Sequence, residues 1–129
     1  MGKLLAKSKL CSFLKKLAKK GELVIPIECD DGEIRYKAMD DFSRLNLTKQ
    51  PTFMIKKYFM NSRENVFSFE NKKIKGNNDL KKRVIFGCRL CDAASLTRLD
   101  RLFLNEYRDE LYEQRRKEHC ADSSALWRA

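Results

Sequence analysis

The unit Cys88-Arg89-Leu90-Cys91-Asp92 joins a short apolar run, Arg83 to Gly87, to a helical pattern that begins at Asp92. A helix start presents unpaired backbone N–H groups and a partial positive charge. A cysteine there has its thiolate favoured, which suits metal binding and redox chemistry alike. Arg89 places a further positive charge beside it. Three chemistries fit this spacing. Cys88 and Cys91 could form a thioredoxin-type pair at the start of a helix that follows a strand. They could belong to a zinc site, although a structural zinc wants four ligands and no second close pair is present. One or both could bind an iron–sulfur cluster together with Cys120; a lone C-x-x-C does not select among these readings. A structural reading stands beside them, in which Cys88 packs in the core and Asp92 caps the helix.

The remaining titratable residues add little chemistry. Cys11 reads as a semi-buried helix residue, and Cys29 ends a strand. His119 is next to Cys120, but neighbours in sequence seldom aim both side chains at one substrate, and no third group orients them. His119 reads as a surface residue near a helix end. No glycine-rich phosphate loop is present. A stand-alone enzyme is the weakest reading.

The elements that must position these residues follow from periodicity. Leu4, Leu5, Leu10, Phe13, Leu14 and Leu17 predict an amphipathic helix of about four turns, closed by Gly21 as C-cap. Leu23 to Ile27 predicts a strand, with Pro26 marking a strand edge or end. Asp30-Asp31-Gly32 is a turn signal, and Glu33 to Ala38 alternates as a second strand, so the two form a hairpin. Asp40 to Leu47 predicts a helical turn and connection. Phe53 to Met60 is apolar without a clean period, so helix and strand compete there. Asn71 to Asp79 is polar and predicts an exposed loop. Arg83 to Gly87 predicts a buried strand, Asp92 to Leu104 a helix, and Asn105 to Arg116 a second helix. The fold class is mixed α/β: a small sheet, a basic N-terminal helix and two C-terminal helices. Residues 1–120 form one domain, and 121–129 read as a tail.

The chain has 129 residues, 43% hydrophobic and 36% charged, the composition of a globular domain with a charged surface. Its five cysteines are an odd number and no signal peptide is recognised, which argues against a disulfide framework and for the cytoplasm. No apolar run reaches the roughly 20 residues of a membrane span. The formal net charge is +10. Lys3, Lys7, Lys9, Lys15, Lys16, Lys19 and Lys20 carry most of that surplus, with no acidic residue among them. This run reads either as the solvated face of a helix or as a basic adaptor surface for nucleic acid or an acidic protein. Charge alone supports nucleic acid; no recognition motif is present and aromatics are not interleaved, so it is the less favoured partner.

Val84-Ile85-Phe86-Gly87-Cys88-Arg89-Leu90-Cys91-Asp92 resembles the F-G-x-R-P-C-D pattern of the beta subunits of cytoplasmic sulfhydrogenases and the A subunit of anaerobic sulfite reductase. Ala93 to Leu104 is similar to the helix that follows it in that family. Asp109, Tyr112, Arg115 and Arg116 match its D-x-x-Y-x-x-R-R signature, and Cys120 falls at its next cysteine. The resemblance implies an electron-transfer or accessory subunit of an anaerobic redox complex. Its partners would be a catalytic subunit and a ferredoxin-like or flavin-containing protein, and its cofactor a [4Fe-4S] cluster. Carried over, Cys91 and Cys120 are the candidate ligands and Cys88 a substitute. Asp92 is an oxygen ligand or a group behind the ligands, and Arg89 tunes the cluster by its charge. The sequence departs from the pattern at Leu90, where the family has proline, and after Cys120, where a C-x-C element and a ferredoxin domain would follow.

Overall fold

A computed structural model describes residues 5–76 and 80–121. Four strands form the main sheet: β1 (Glu22–Glu28), β2 (Ile34–Ala38), β5 (Arg83–Ile85) and β6 (His119–Ala121), in the order β2-β1-β5-β6. A separate two-stranded hairpin consists of β3 (Phe67–Glu70) and β4 (Lys73–Gly76). The helices are α1 (Leu10–Ala18), α2 (Leu90–Asp100) and α3 (Glu110–Glu118). The mixed α/β class and the two C-terminal helices are those read from the sequence.

Both faces of the sheet are covered, which explains why Leu23 to Ile27 is an unbroken apolar run. Leu23, Ile25 and Ile27 of β1 pack with Val84, Phe86 and the Leu14 and Leu17 face of α1. Val24 and Ile85 point the other way, into a cluster with Tyr36, Ile55, Phe59, Leu96 and Tyr112. The period-two alternation of a strand thus sorts one run into two cores. β5 runs parallel to β1 and to β6, so α2 and α3 form the crossover between two parallel neighbours.

Several elements differ from expectation. The N-terminal helix is short: Lys7–Lys9 is a 3-10 turn and α1 starts at Leu10. Ala6 is extended, neither segment has a side-chain cap or an acid in its first turn, and lysines there oppose the helix dipole. Leu4 lies outside the described residues. Gly21 is no C-cap. The C-cap is Lys19, and a Cβ on Gly21 would stand 2.7 Å from the Lys82 carbonyl oxygen, so glycine serves close strand approach. Pro26 sits inside β1, but pairing with β5 stops at Val24. The segment around Leu45 takes over from there: Asn46 N–H donates to the Pro26 carbonyl and Glu28 N–H to the Arg44 carbonyl. The missing proline donor falls at that change of partner.

Asp40 to Leu47 is a turn and bridge rather than a helical turn: the Asp41 carboxylate accepts from the Ser43 N–H and hydroxyl. Phe53 to Met60 resolves into a 3-10 helix at Ile55–Tyr58. Lys73–Gly76, within the expected loop, is a strand, because Asn71 and Lys72 adopt positive φ and turn the chain so that Ile74 faces Phe69. Residues 77–79 of that loop lie outside the described residues. α2 passes into a π-helical segment at Arg101–Glu106, and α3 starts only at Glu110. Ala121 pairs with Ile85 in β6, and the rest of the expected tail, 122–129, lies outside the described residues.

Candidate functional site: the turn from the buried strand into the second helix

Gly87 makes the turn possible. Its φ is +77°, and a Cβ there would stand 2.9 Å from Leu47 Cδ2 and 3.1 Å from Pro26 Cγ. Both the left-handed backbone and the close approach require glycine. The chain then enters α2 with Arg89 as an extended N-cap, φ −86° and ψ 161°.

Asp92 stands at the third helical position and is only 3% exposed. Its Oδ2 accepts from the Arg89 N–H at 3.4 Å, so the carboxylate closes back on the N-cap backbone. It also lies 3.3 Å from the Tyr36 hydroxyl, whose nearer acceptor is the Gly87 carbonyl at 3.0 Å. Asp92 Oδ1 is buried and has no hydrogen-bond partner among the described residues. Burial, and then the Asp92 charge, push the Tyr36 hydroxyl pKa far up, so it remains a donor. The Arg89 guanidinium donates to the Thr48 carbonyl at 3.1 Å.

The two cysteines of the turn have different environments. Cys88 is 7% exposed, belongs to the core cluster with Leu96 and Tyr112, and donates its thiol to the Arg89 carbonyl at 3.6 Å. Burial, with Asp92 and Cys91 nearby, pushes its thiol up to about 11. A reactive first cysteine of a thioredoxin-type pair is shifted downwards, so the direction here opposes that chemistry. Cys91 is exposed on the first turn of α2. Cys120 stands opposite Val84 in the β5–β6 register; its side chain lies outside the description. Cys11 is exposed on α1, and Cys29 is half-buried after β1.

A [4Fe-4S] cluster needs four donors. Among the described residues no three His, Cys, Asp or Glu side chains are grouped to hold a metal. Cys88 is held as a buried thiol, Asp92 has committed one oxygen to the turn, and Cys91 is exposed at the surface. These residues do not form a complete cluster site.

The D-x-x-Y-x-x-R-R residues form a second constellation behind the turn. Asp109 is the N-cap of α3 and accepts from the Tyr112 N–H at 2.9 Å. The Tyr112 hydroxyl donates to Asp100 Oδ1 at 2.7 Å. Arg116 donates to the same carboxylate through Nε and Nη2 at 2.9 and 3.1 Å, and its guanidinium lies 5.6 Å from the Phe59 ring. Arg115, buried, donates to the Phe59 carbonyl at 3.0 Å and pairs with Glu64. The signature thus docks α3 onto α2 and the 3-10 helix. His119 is not a surface residue: it is 1% exposed, its ring packs on Phe59 at 5.5 Å, and among the described residues neither nitrogen has a hydrogen-bond partner. Burial and the Arg83 charge lower its pKa to about 4.

Sequence reasoning missed Tyr36, Glu64 and Asp100. Tyr36 left one signal: a tyrosine on the inward face of a strand has to find a partner for its hydroxyl. Glu64 and Asp100 left none, because charged residues in polar stretches look like surface.

The chain is similar to sulfhydrogenase 2 subunit beta of Pyrococcus furiosus, with 26% identity over 106 residues. The match covers 81% of this chain and 31% of that protein. The chain therefore spans about a third of the length of the curated relative it matches. No family model and no solved structure matches it. Among the described residues no helix is long and apolar enough to cross a membrane.

Proposed function

We propose that this chain is a non-catalytic subunit, electron-transferring or accessory, of an anaerobic redox complex of the hydrogenase or sulfite reductase type. The observation that carries the reading is the similarity to a sulfhydrogenase beta subunit over 81% of the chain. The Gly87 to Asp92 turn, where the sequence resemblance is most specific, supports it as a built feature: glycine is sterically required and the aspartate is buried and bonded. The partners are a catalytic subunit and a ferredoxin-like or flavin-containing protein. The finer reading is that Cys91 and Cys120 contribute ligands to a [4Fe-4S] cluster. Arg89 and Asp92 would then set its electrostatic surroundings.

Affinity-tagged chain expressed in its native host and recovered under anaerobic conditions tests the proposal. A hydrogenase or sulfite reductase catalytic subunit should co-elute in stoichiometric amount. Iron in the recovered complex should fall when Cys91 is replaced by serine. A chain that elutes alone, or only with proteins unrelated to redox chemistry, contradicts the assignment.

A further inference from the structure

The lysines of the N-terminal segment stand exposed on one stretch of surface: Lys7 and Lys9 in the 3-10 turn, Lys15 and Lys16 on α1, Lys19 and Lys20 after it. Among the described residues no acidic side chain forms an ion pair with any of them. The patch continues onto a second element. The close packing of Gly21 on Lys82, with the Glu22 N–H donating to the Lys82 carbonyl at 2.9 Å, brings exposed Lys81 and Lys82 beside the end of this segment. Glu22, the acid next in the chain, is held by Arg83 at 2.6 Å.

Helix stability does not account for these charges. Lysines near the end of α1 gain from its dipole, but Lys7 and Lys9 at the other end lose by it. Lys15 and Lys16 also lie one turn from Lys19 and Lys20, where like charges repel.

We propose that this face, from Lys7 to Lys20 with Lys81 and Lys82, docks an acidic face of a protein partner; the proposal rests on the chain being a subunit of a redox complex. Two features favour an acidic protein. No aromatic ring of α1 is free to stack on bases, since Phe13 is half-buried and packs edge-on against Phe86 at 6.3 Å. The apolar side of α1 is spent on the core through Leu14 and Leu17, leaving no apolar stripe to enter a bilayer.

The test compares the native chain with a variant carrying Lys15→Gln, Lys16→Gln, Lys19→Gln and Lys20→Gln, and with a Lys72→Gln, Lys73→Gln control on the β3–β4 hairpin. Binding is measured to poly-L-glutamate, to a uridine oligonucleotide and to phosphatidylserine vesicles, at low and high salt. The α1 variant should lose about tenfold or more in affinity for poly-L-glutamate at low salt, and the control should not. The native chain should prefer poly-L-glutamate to the other two probes. Equal binding by variant and native chain, or tighter binding to the oligonucleotide or vesicles, overturns the proposal. In the anaerobic recovery, redox subunits retained equally by the α1 variant overturn the docking face and leave the redox assignment standing. Their absence from the native chain overturns that assignment itself.

Discussion

The Tyr36 hydroxyl donates to the Gly87 carbonyl at 3.0 Å, with the Asp92 carboxylate as a second acceptor at 3.3 Å. One phenol therefore ties the second strand of the hairpin to the turn that starts α2. Tyr36→Phe leaves the partly buried Gly87 carbonyl and the buried Asp92 carboxylate with one donor fewer, beside an Asp92 oxygen that has no hydrogen-bond partner among the described residues. A loss of about 1–2 kcal/mol is expected from urea unfolding. An unchanged unfolding midpoint would mean the hydroxyl does not hold the turn.

Cys88 and Cys91 should behave as different chemical species. In the native protein iodoacetamide should modify exposed Cys91 well before buried Cys88, as read by mass spectrometry after quenching. The raised Cys88 pKa also has a stability consequence. Between about 9 and about 11 the folded state keeps a proton that the unfolded state has lost. The stabilisation is therefore complete below about 9 and is lost as pH rises through about 11. Cys88→Ala should flatten that alkaline slope. Equal labelling rates of the two thiols would contradict the buried placement.

His119 gives the mirror-image effect in acid. Its pKa is lowered from 6.5 to about 4, by burial first and then by Arg83, with the Tyr58 backbone and Glu22 acting against the shift and Arg115 with it. Between those values the unfolded chain binds more protons than the folded one, so stability falls as pH falls. The stabilisation is fully present above 6.5, is lost on passing about 4, and is on the order of 3 kcal/mol. His119→Phe preserves a ring against Phe59 and should remove this acid sensitivity with little change at neutral pH. A variant with the native acid slope would show that other groups carry it.

Legibility in the sequence tracked how local each cause was. The Leu23 to Ile27 strand, the hairpin turn at Gly32 and the strand before Gly87 were readable because period and turn chemistry lie within a few residues. The β4 strand was not, because its one apolar residue, Ile74, acquires meaning only opposite Phe69. Neither was β6, three residues whose place is set by parallel pairing with β5 across the whole α2–α3 crossover. At the site, Cys88, Cys91, Arg89 and Asp92 were all singled out, but their inequality was not. Whether a cysteine before a helix is a free thiolate or a core thiol depends on Val24, Phe59 and Tyr112, which arrive from elsewhere in the chain. His119 was misread for the same reason: Phe59 buries it from a distance of sixty residues.

Leu90 offers the sharpest test of how this turn is built. It is the first residue of α2, where an N–H has no intrahelical partner and proline is favoured. The family pattern resembled here has proline at this position. The preceding residue, Arg89, already has φ −86° and ψ 161°, the extended conformation that a following proline imposes. Leu90 is 64% exposed, so its side chain contributes little packing to lose. Leu90→Pro should thus leave the native structure unstrained while restricting the unfolded chain, raising stability by about 0.4–1 kcal/mol. Thermal and urea unfolding of the two proteins measure this directly. A lower midpoint for the proline variant would mean that the turn into α2 departs from the geometry described, and that the departure at Leu90 has changed how Asp92 and Cys91 are presented.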